Sequence, residues 1–481
     1  MTTLSWGTDA LASVPDGFLT TESTFEVFDP STEQPIAAVA DCGPTEALAA
    51  LDAAAAAAPT WAASTLRERA DVLHRLFDAL HANSERLAQL LTLEVGKTIR
   101  EARGEVAYAA DYVRWYAEEA VRPHGRSTVS PDGRNHIVTV AEPVGPCLLI
   151  TPWNVPLAMA ARKVAPAVAA GCTAVLKPAE LTPLTSLVFG ELLLEAGAPP
   201  GVLTVVTTRR PAEVSSALLA DPRLRKVSFT GSTEVGRLLL EQAGRRVLRT
   251  SMELGGNAPF LVFDDADLDL AIREAMIAKL RLGGQSCVAA NRFLVADGIA
   301  DAFVAGLGAQ LAALVVGPPG DEGTDLGPSV DHRAVAKVNR LVNDAVGKGA
   351  VVVARAPIPD GPGHWVAPTL LDQVPADADI LHEEVFGPVA AIRRFSSEDE
   401  AVALSNDTEH GLAAYLITRD SERSRRVASR LQSGMVGINR GLVSDVAAPF
   451  GGVKQSGIGR EGGPEGLQEY LQFKYLSSPG F

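Results

Sequence analysis

The chain is poor in cysteine, histidine and aromatic side chains, and it has no long apolar run. Its four cysteines, Cys42, Cys147, Cys172 and Cys287, form no CxxC pair and no zinc-knuckle spacing, which points to a reduced, intracellular protein. Eight histidines fall in no HExxH or paired arrangement, so no metal site is expected. No apolar stretch approaches the ~18 residues that span a bilayer. The first basic residue is Arg67, so secretory and mitochondrial leaders lack their required charges. A cytoplasmic location is expected. Basic residues are also outnumbered: 43 Lys and Arg against 58 Asp and Glu leave a formal net charge of −15. That balance opposes general affinity for nucleic acid or anionic membrane and favours a small-molecule or protein partner. What remains is 47% hydrophobic over 481 residues, enough for a large core divided among two to four domains.

From about residue 144 short apolar runs alternate with helical patterns. PCLLIT, TAVLKP, VLTVV and KVSFT read as strands, with helices over 156–170, 183–196, 211–220 and 232–243 between and after them. Apolar runs without polar alternation suit strands buried on both faces of a parallel sheet. A second series, with FLVF, NRFLVA, GAVVVA, LAAYLIT and MVGIN as strands, fills 259–440. The economical reading is α/β, with two domains. The alanine run 53–58 reads as helix, with Pro59 expected to end it. Segments 134–145 and 469–476 alternate polar and apolar residues like exposed strands and are expected to pair between subunits.

Two glycine strings need sorting. GIGREG (457–462) matches GxGxxG but has no strand before it and no βαβ unit after it. GSTEVG (231–236) follows a strand and opens a helix, yet Arg237 and Leu238 replace the P-loop Lys and Ser/Thr; free N–H groups there still suit a phosphate. Cys287, in the turn GGQSCVAANRF, is either a presented nucleophile or a buried core cysteine. Asn154 in TPWNVP, just past a buried strand, is either an oxyanion donor or a helix N-cap before Pro156. Glu253 in SMELGGNAP is either a base acting on water or a solvated loop acid.

Taken together, TPWNVP, LKPAELTP, FTGSTEVG, MELGGNAP, GGQSC, EEVFGP and APFGGVKQSG resemble, in order, the motifs of the NAD(P)-dependent aldehyde dehydrogenase superfamily over roughly residues 25–477. The resemblance implies a Rossmann-like NAD-binding domain (1–123 and 142–252), a catalytic domain carrying the nucleophile (253–440) and oligomerisation strands (124–141 and 460–481). It implies homodimers or homotetramers. By the same resemblance Cys287 is the nucleophile, Glu253 activates the deacylating water, and Asn154 forms the oxyanion hole with the Cys287 N–H. Thr151, Pro152 and Trp153 fall in the cofactor-side motif. Lys177 and Glu180 match residues that hold the adenosine ribose, Gly231 and Ser232 a pyrophosphate contact, and Glu384 and Phe386 contacts near the nicotinamide ribose. NAD is expected over NADP, because the Glu180 anion accepts from both ribose hydroxyls and repels a 2′-phosphate.

Within the superfamily the chain is most similar to succinate-semialdehyde dehydrogenases. There, residues matching Arg162, Arg281 and Ser444 hold the substrate's far carboxylate; the other reading of either arginine is a structural ion pair. Glutarate semialdehyde, a sulfonated aldehyde and an uncharged aldehyde stay open, as do a CoA-acylating enzyme and a non-catalytic binding protein. One position departs from the subfamily: two residues after the nucleophile, where cysteine is frequent, stands Ala289, so no redox switch with Cys287 is expected.

Overall fold

A computed structural model describes residues 21–123 and 125–479; residues 1–20, 124, 480 and 481, assigned above to the cofactor domain and the oligomerisation strands, lie outside the described residues. Two sheets organise the rest. The first has six strands in the order Gly457–Ile458, Arg249–Glu253, Lys226–Thr230, Cys147–Ile150, Ala174–Lys177, Leu203–Val205, all parallel except the first. Its strands are buried on both faces, as the unbroken apolar runs require. Leu148 and Ile150 face the helices Pro44–Ala63, Pro211–Ala220 and Thr233–Gly244. Cys147 and Leu149 face the helices Leu66–Ala82, Ser84–Val95, Ile99–Glu119 and Pro156–Ala170.

The second sheet runs Val351–Arg355, Thr369–Asp372, Val389–Phe395, Ala290–Ala296, Ala258–Val262, Ala413–Ile417, Met435–Ile438, with only the Val351–Arg355 edge antiparallel. Sequence periodicity anticipates five of these strands; Thr369–Asp372 and Val389–Phe395 escaped it.

Helix boundaries follow local chemistry. Pro156 opens Pro156–Ala170 at its first position, and Gly171, at φ +90°, closes it in the left-handed conformation. The expected stop at Pro59 does not occur, because Pro44–Ala63 continues past it. The ring sits one turn from the helix end. Trp61 then anchors that last turn by donating its indole N–H to the Val168 carbonyl at 3.2 Å.

The two exposed-strand segments find partners within one chain. Asn135–Pro143 and Leu471–Pro479 pair antiparallel with each other within the chain, and Arg126–Val129 completes a three-stranded sheet. The outer edge of Leu471–Pro479 has no partner strand among the described residues, with Phe473, Tyr475 and Leu476 exposed. The tail does not serve that sheet alone, since Gly457–Ile458 joins the first sheet and the helix Gly463–Gln468 packs on Pro156–Ala170.

Candidate active site

In the first sheet the chain moves outward from Cys147–Ile150 to Leu203–Val205, then returns to place Lys226–Thr230 on the other side of Cys147–Ile150. This reversal is a topological switch point, where open α/β sheets bind ligands beyond the carboxyl ends of their strands. A cleft of ≈ 850 Å³ opens there. Thr151, Pro152, Trp153 and Asn154 follow one of these strands into the cleft and Gly231 and Ser232 follow the other. Lys177, Glu180, Glu384 and Phe386 line it as well, and so do Cys287, Arg162, Arg281 and Ser444. Of the residues expected in the site, Glu253 alone is absent from the wall; it is buried behind Leu254 and Gly255, which do line it.

The cofactor end has the features a dinucleotide needs. Ser232 is the N-cap of Thr233–Gly244 and accepts from the Val235 N–H at 3.3 Å; its neighbours at the helix start keep N–H groups free for phosphate. A Cβ at position 231 would lie 2.4 Å from the Phe229 ring, so only glycine allows this approach. The Trp153 and Phe386 rings meet edge to face at 5.4 Å. Glu384 accepts from the Gly256 N–H at 3.2 Å, and burial lifts its carboxyl to about 7.

Around the thiol the packing is close. Cys287 sits between the turn Arg281–Gly284 and the strand Ala290–Ala296, half-buried. Leu282, Gly283 and Gly284 all take positive φ, bending the chain so that the thiol faces the cleft. A Cβ on Gly256 would fall 2.2 Å from the Cys287 carbonyl oxygen. Burial pushes the Cys287 thiol up to about 12; the Arg162 charge opposes this, and Glu384 and Glu253 add to it. The Asn154 side-chain amide donates to the Gln285 carbonyl at 2.8 Å, two residues before the thiol. Asn154 is not an N-cap, because Val155 occupies that position.

Arg162 and Arg281 differ. Arg162 is buried, its Nε lies 2.6 Å from Glu461, and its guanidinium stacks over Phe450 at 4.1 Å. It shares the Glu461 carboxylate with Lys163. Arg281 is exposed to the cleft and has no ion-pair partner among the described residues. Glu461 went unnoticed in the sequence, where it stands inside the rejected string GIGREG; only the fold brings it to Arg162 and Lys163. Burial works to raise the Glu461 carboxyl, but Lys163 and Arg162 outweigh it and hold the group below the ordinary range. Burial and then the Glu461 charge hold the Glu253 carboxyl well above that range. No group of three or more potential metal ligands occurs among the described residues.

Residues 18–476 match the model of the aldehyde dehydrogenase family. The chain belongs to the aldehyde dehydrogenase family. It is 54% identical to a succinate-semialdehyde dehydrogenase of Paenarthrobacter nicotinovorans, over 92% of this chain and 98% of that one. Identity is 48% to a glutarate-semialdehyde dehydrogenase of Pseudomonas putida, covering 94% of each chain. It is 46% to GabD of Escherichia coli, a succinate-semialdehyde dehydrogenase named for NADP(+), over 94% and 93%. The crystal structure of succinate-semialdehyde dehydrogenase from Burkholderia pseudomallei superposes with a TM-score of 0.94 at 49% identity, covering 95% of each chain. The chain is thus an NAD(P)-dependent aldehyde oxidoreductase with the aldehyde dehydrogenase fold.

Proposed function

We propose that this enzyme oxidises a small aldehyde bearing a remote carboxylate, succinate semialdehyde to succinate, through a thioester on Cys287 and with NAD as acceptor. The observation that carries the reading is Arg281, a cation without an ion-pair partner among the described residues, sharing one cleft with Ser444 and the thiol. A guanidinium fork matches a carboxylate, and a neutral aldehyde would leave it unpaired. Arg162 lines the same cleft and adds a second cation near the thiol, with its Nε facing Glu461. The name of the Paenarthrobacter relative supports the four-carbon substrate; that of the Pseudomonas relative supports glutarate semialdehyde as the second reading.

The Cys287 thiolate adds to the aldehyde carbon and the carbonyl becomes an oxyanion. Asn154 has spent one amide hydrogen on Gln285, and its second, with the Cys287 N–H, meets that oxyanion. NAD, held beside Trp153, Ser232, Glu384 and Phe386, would supply the hydride acceptor that leaves the acyl group on the Cys287 sulfur. Glu253, once deprotonated, takes a proton from the water that attacks the thioester, releasing the acid and the thiol. Lys177 and Glu180 receive the adenosine ribose. The Glu180 anion, in the cleft with Lys177, accepts from both ribose hydroxyls and repels a 2′-phosphate, so NAD is preferred. The six-stranded sheet and its helices form the cofactor unit, and the free edge of Leu471–Pro479 joins subunits into dimers or tetramers.

The test is NADH formation over aldehydes of graded length with and without a terminal carboxylate. The highest kcat/KM should fall on succinate semialdehyde. A preference for uncharged aldehydes would overturn the carboxylate reading, and turnover dependent on coenzyme A would replace water with a thiol as the acyl acceptor.

A further inference from the structure

Asn154 lies in the turn between the strand Cys147–Ile150 and the helix Pro156–Ala170, and that turn does not hold itself in place. Its helix starts without a side-chain cap: Val155 has no polar atom to offer, and Pro156 has no N–H. The cap comes from elsewhere. Glu105, on the helix Ile99–Glu119, accepts through Oε1 from the N–H groups of Leu157 at 3.0 Å and Ala158 at 3.1 Å. Its Oε2 bonds to Lys97, and Lys97 Nζ also donates to the Asn154 backbone carbonyl at 2.8 Å. The Lys97 and Glu105 side chains are 1% and 2% exposed.

One buried ion pair therefore grips the backbone at Asn154 itself and again at residues 157 and 158. Desolvating two charges is expensive, and a Ser or Asp at position 155 would cap the helix at far lower cost. A Ser or Asp there would leave the Asn154 peptide free to rotate. Lys97 fixes it, and with the backbone held and one amide hydrogen on Gln285, the second hydrogen has a defined direction.

We propose that Lys97 and Glu105 are positioning residues for the Asn154 amide, aiming its free hydrogen at the aldehyde oxygen as the carbonyl becomes tetrahedral. The inference rests on the reading of Asn154 as the oxyanion donor. Neither residue is assigned contact with substrate, because both Glu105 oxygens and the Lys97 amine are engaged within the protein.

The experiment is a double-mutant cycle on single-turnover NADH formation, with NAD-saturated enzyme in excess over succinate semialdehyde. Asn154→Ala should slow this step on the order of 100-fold. Lys97→Met should slow it roughly 10- to 100-fold, as expected for a misplaced catalytic group, with NAD affinity unchanged. In the Asn154→Ala background Lys97→Met should add less than about a twofold loss, because a residue acting through Asn154 has nothing left to aim. Lys97→Met/Glu105→Gln removes both charges and keeps an acceptor for the two N–H groups; it takes the place of Lys97→Met in the cycle if the single variant fails to fold. Losses that multiply in the Asn154→Ala background would overturn the proposal, as would a Lys97→Met enzyme with the wild-type single-turnover rate; both leave the role of Asn154 intact. An unimpaired Asn154→Ala enzyme would remove that role and the proposal with it.

Discussion

At the scale of single residues the chemistry depends on a thiol and a carboxyl whose anionic forms burial disfavours. Burial raises Cys287 to about 12 and lifts Glu253 well above ordinary carboxylates. Cys287→Ala should abolish aldehyde oxidation in a folded protein, since no thiohemiacetal can form; retained turnover would rule out the covalent route. Glu253→Gln should keep a rapid first turnover of NADH and then turn over slowly, because hydride transfer precedes the water step. The pH dependence has a definite sign. A base works only when deprotonated, so deacylation should accelerate as pH rises through the Glu253 value, well above 4.5, and Glu253→Gln should lose that limb. A slow step whose pH profile is unchanged by the substitution would assign the limb to another group. The sequence singled out Cys287, Glu253 and Asn154 because each sits in a short motif at a strand end or turn, and the fold brings Cys287 and Asn154 to the cleft with Glu253 buried behind it. Glu461, Lys97 and Glu105 were not singled out. Their partners lie 298, 57 and 52 positions away, for Lys163, Asn154 and Leu157 respectively, and a buried charge looks like a surface charge until the fold closes over it.

At the scale of elements, the positions of strand ends matter more than their lengths. Gly256 follows the strand Arg249–Glu253 and brings its backbone against the Cys287 carbonyl, where a Cβ would lie at 2.2 Å. Gly256→Ala should therefore move the nucleophile, lowering kcat/KM by roughly 10-fold or more and stability by about 1–3 kcal/mol. Steady-state kinetics together with thermal melting would check it; wild-type values for both would mean that the contact relaxes freely. The helix Pro156–Ala170 was legible to the residue because proline and glycine mark its two ends. Pro59 misled because a proline one turn from a helix end removes little, and distant packing by Trp61 decides the matter. The pairing of 134–145 with 469–476 was hidden for a related reason: alternation shows that a strand has one exposed face but does not name its partner.

At the scale of the whole molecule, two sheets present their strand ends to one cleft, with the cofactor features at the switch point of the first and the thiol ahead of a central strand of the second. The α/β alternation made that architecture readable, whereas the difference between Arg162 and Arg281 required the folded tail that delivers Glu461. Phe473, Tyr475 and Leu476, exposed on an edge with no partner strand among the described residues, should be covered by a second subunit. Light scattering at micromolar concentration should find a dimer or tetramer, and a stable active monomer would contradict this. Whether Arg281 reads the substrate's carboxylate is measured directly by kcat/KM for succinate semialdehyde and for butanal in wild-type enzyme and in Arg281→Ala. Removing a hydrogen bond to a charged group costs roughly 1.5–3 kcal/mol, which is about 10- to 150-fold at 1.4 kcal/mol per decade. Succinate semialdehyde should lose that much and butanal little, so the ratio between them should collapse. Equal losses on both substrates, or a wild-type enzyme that prefers butanal, would contradict the account.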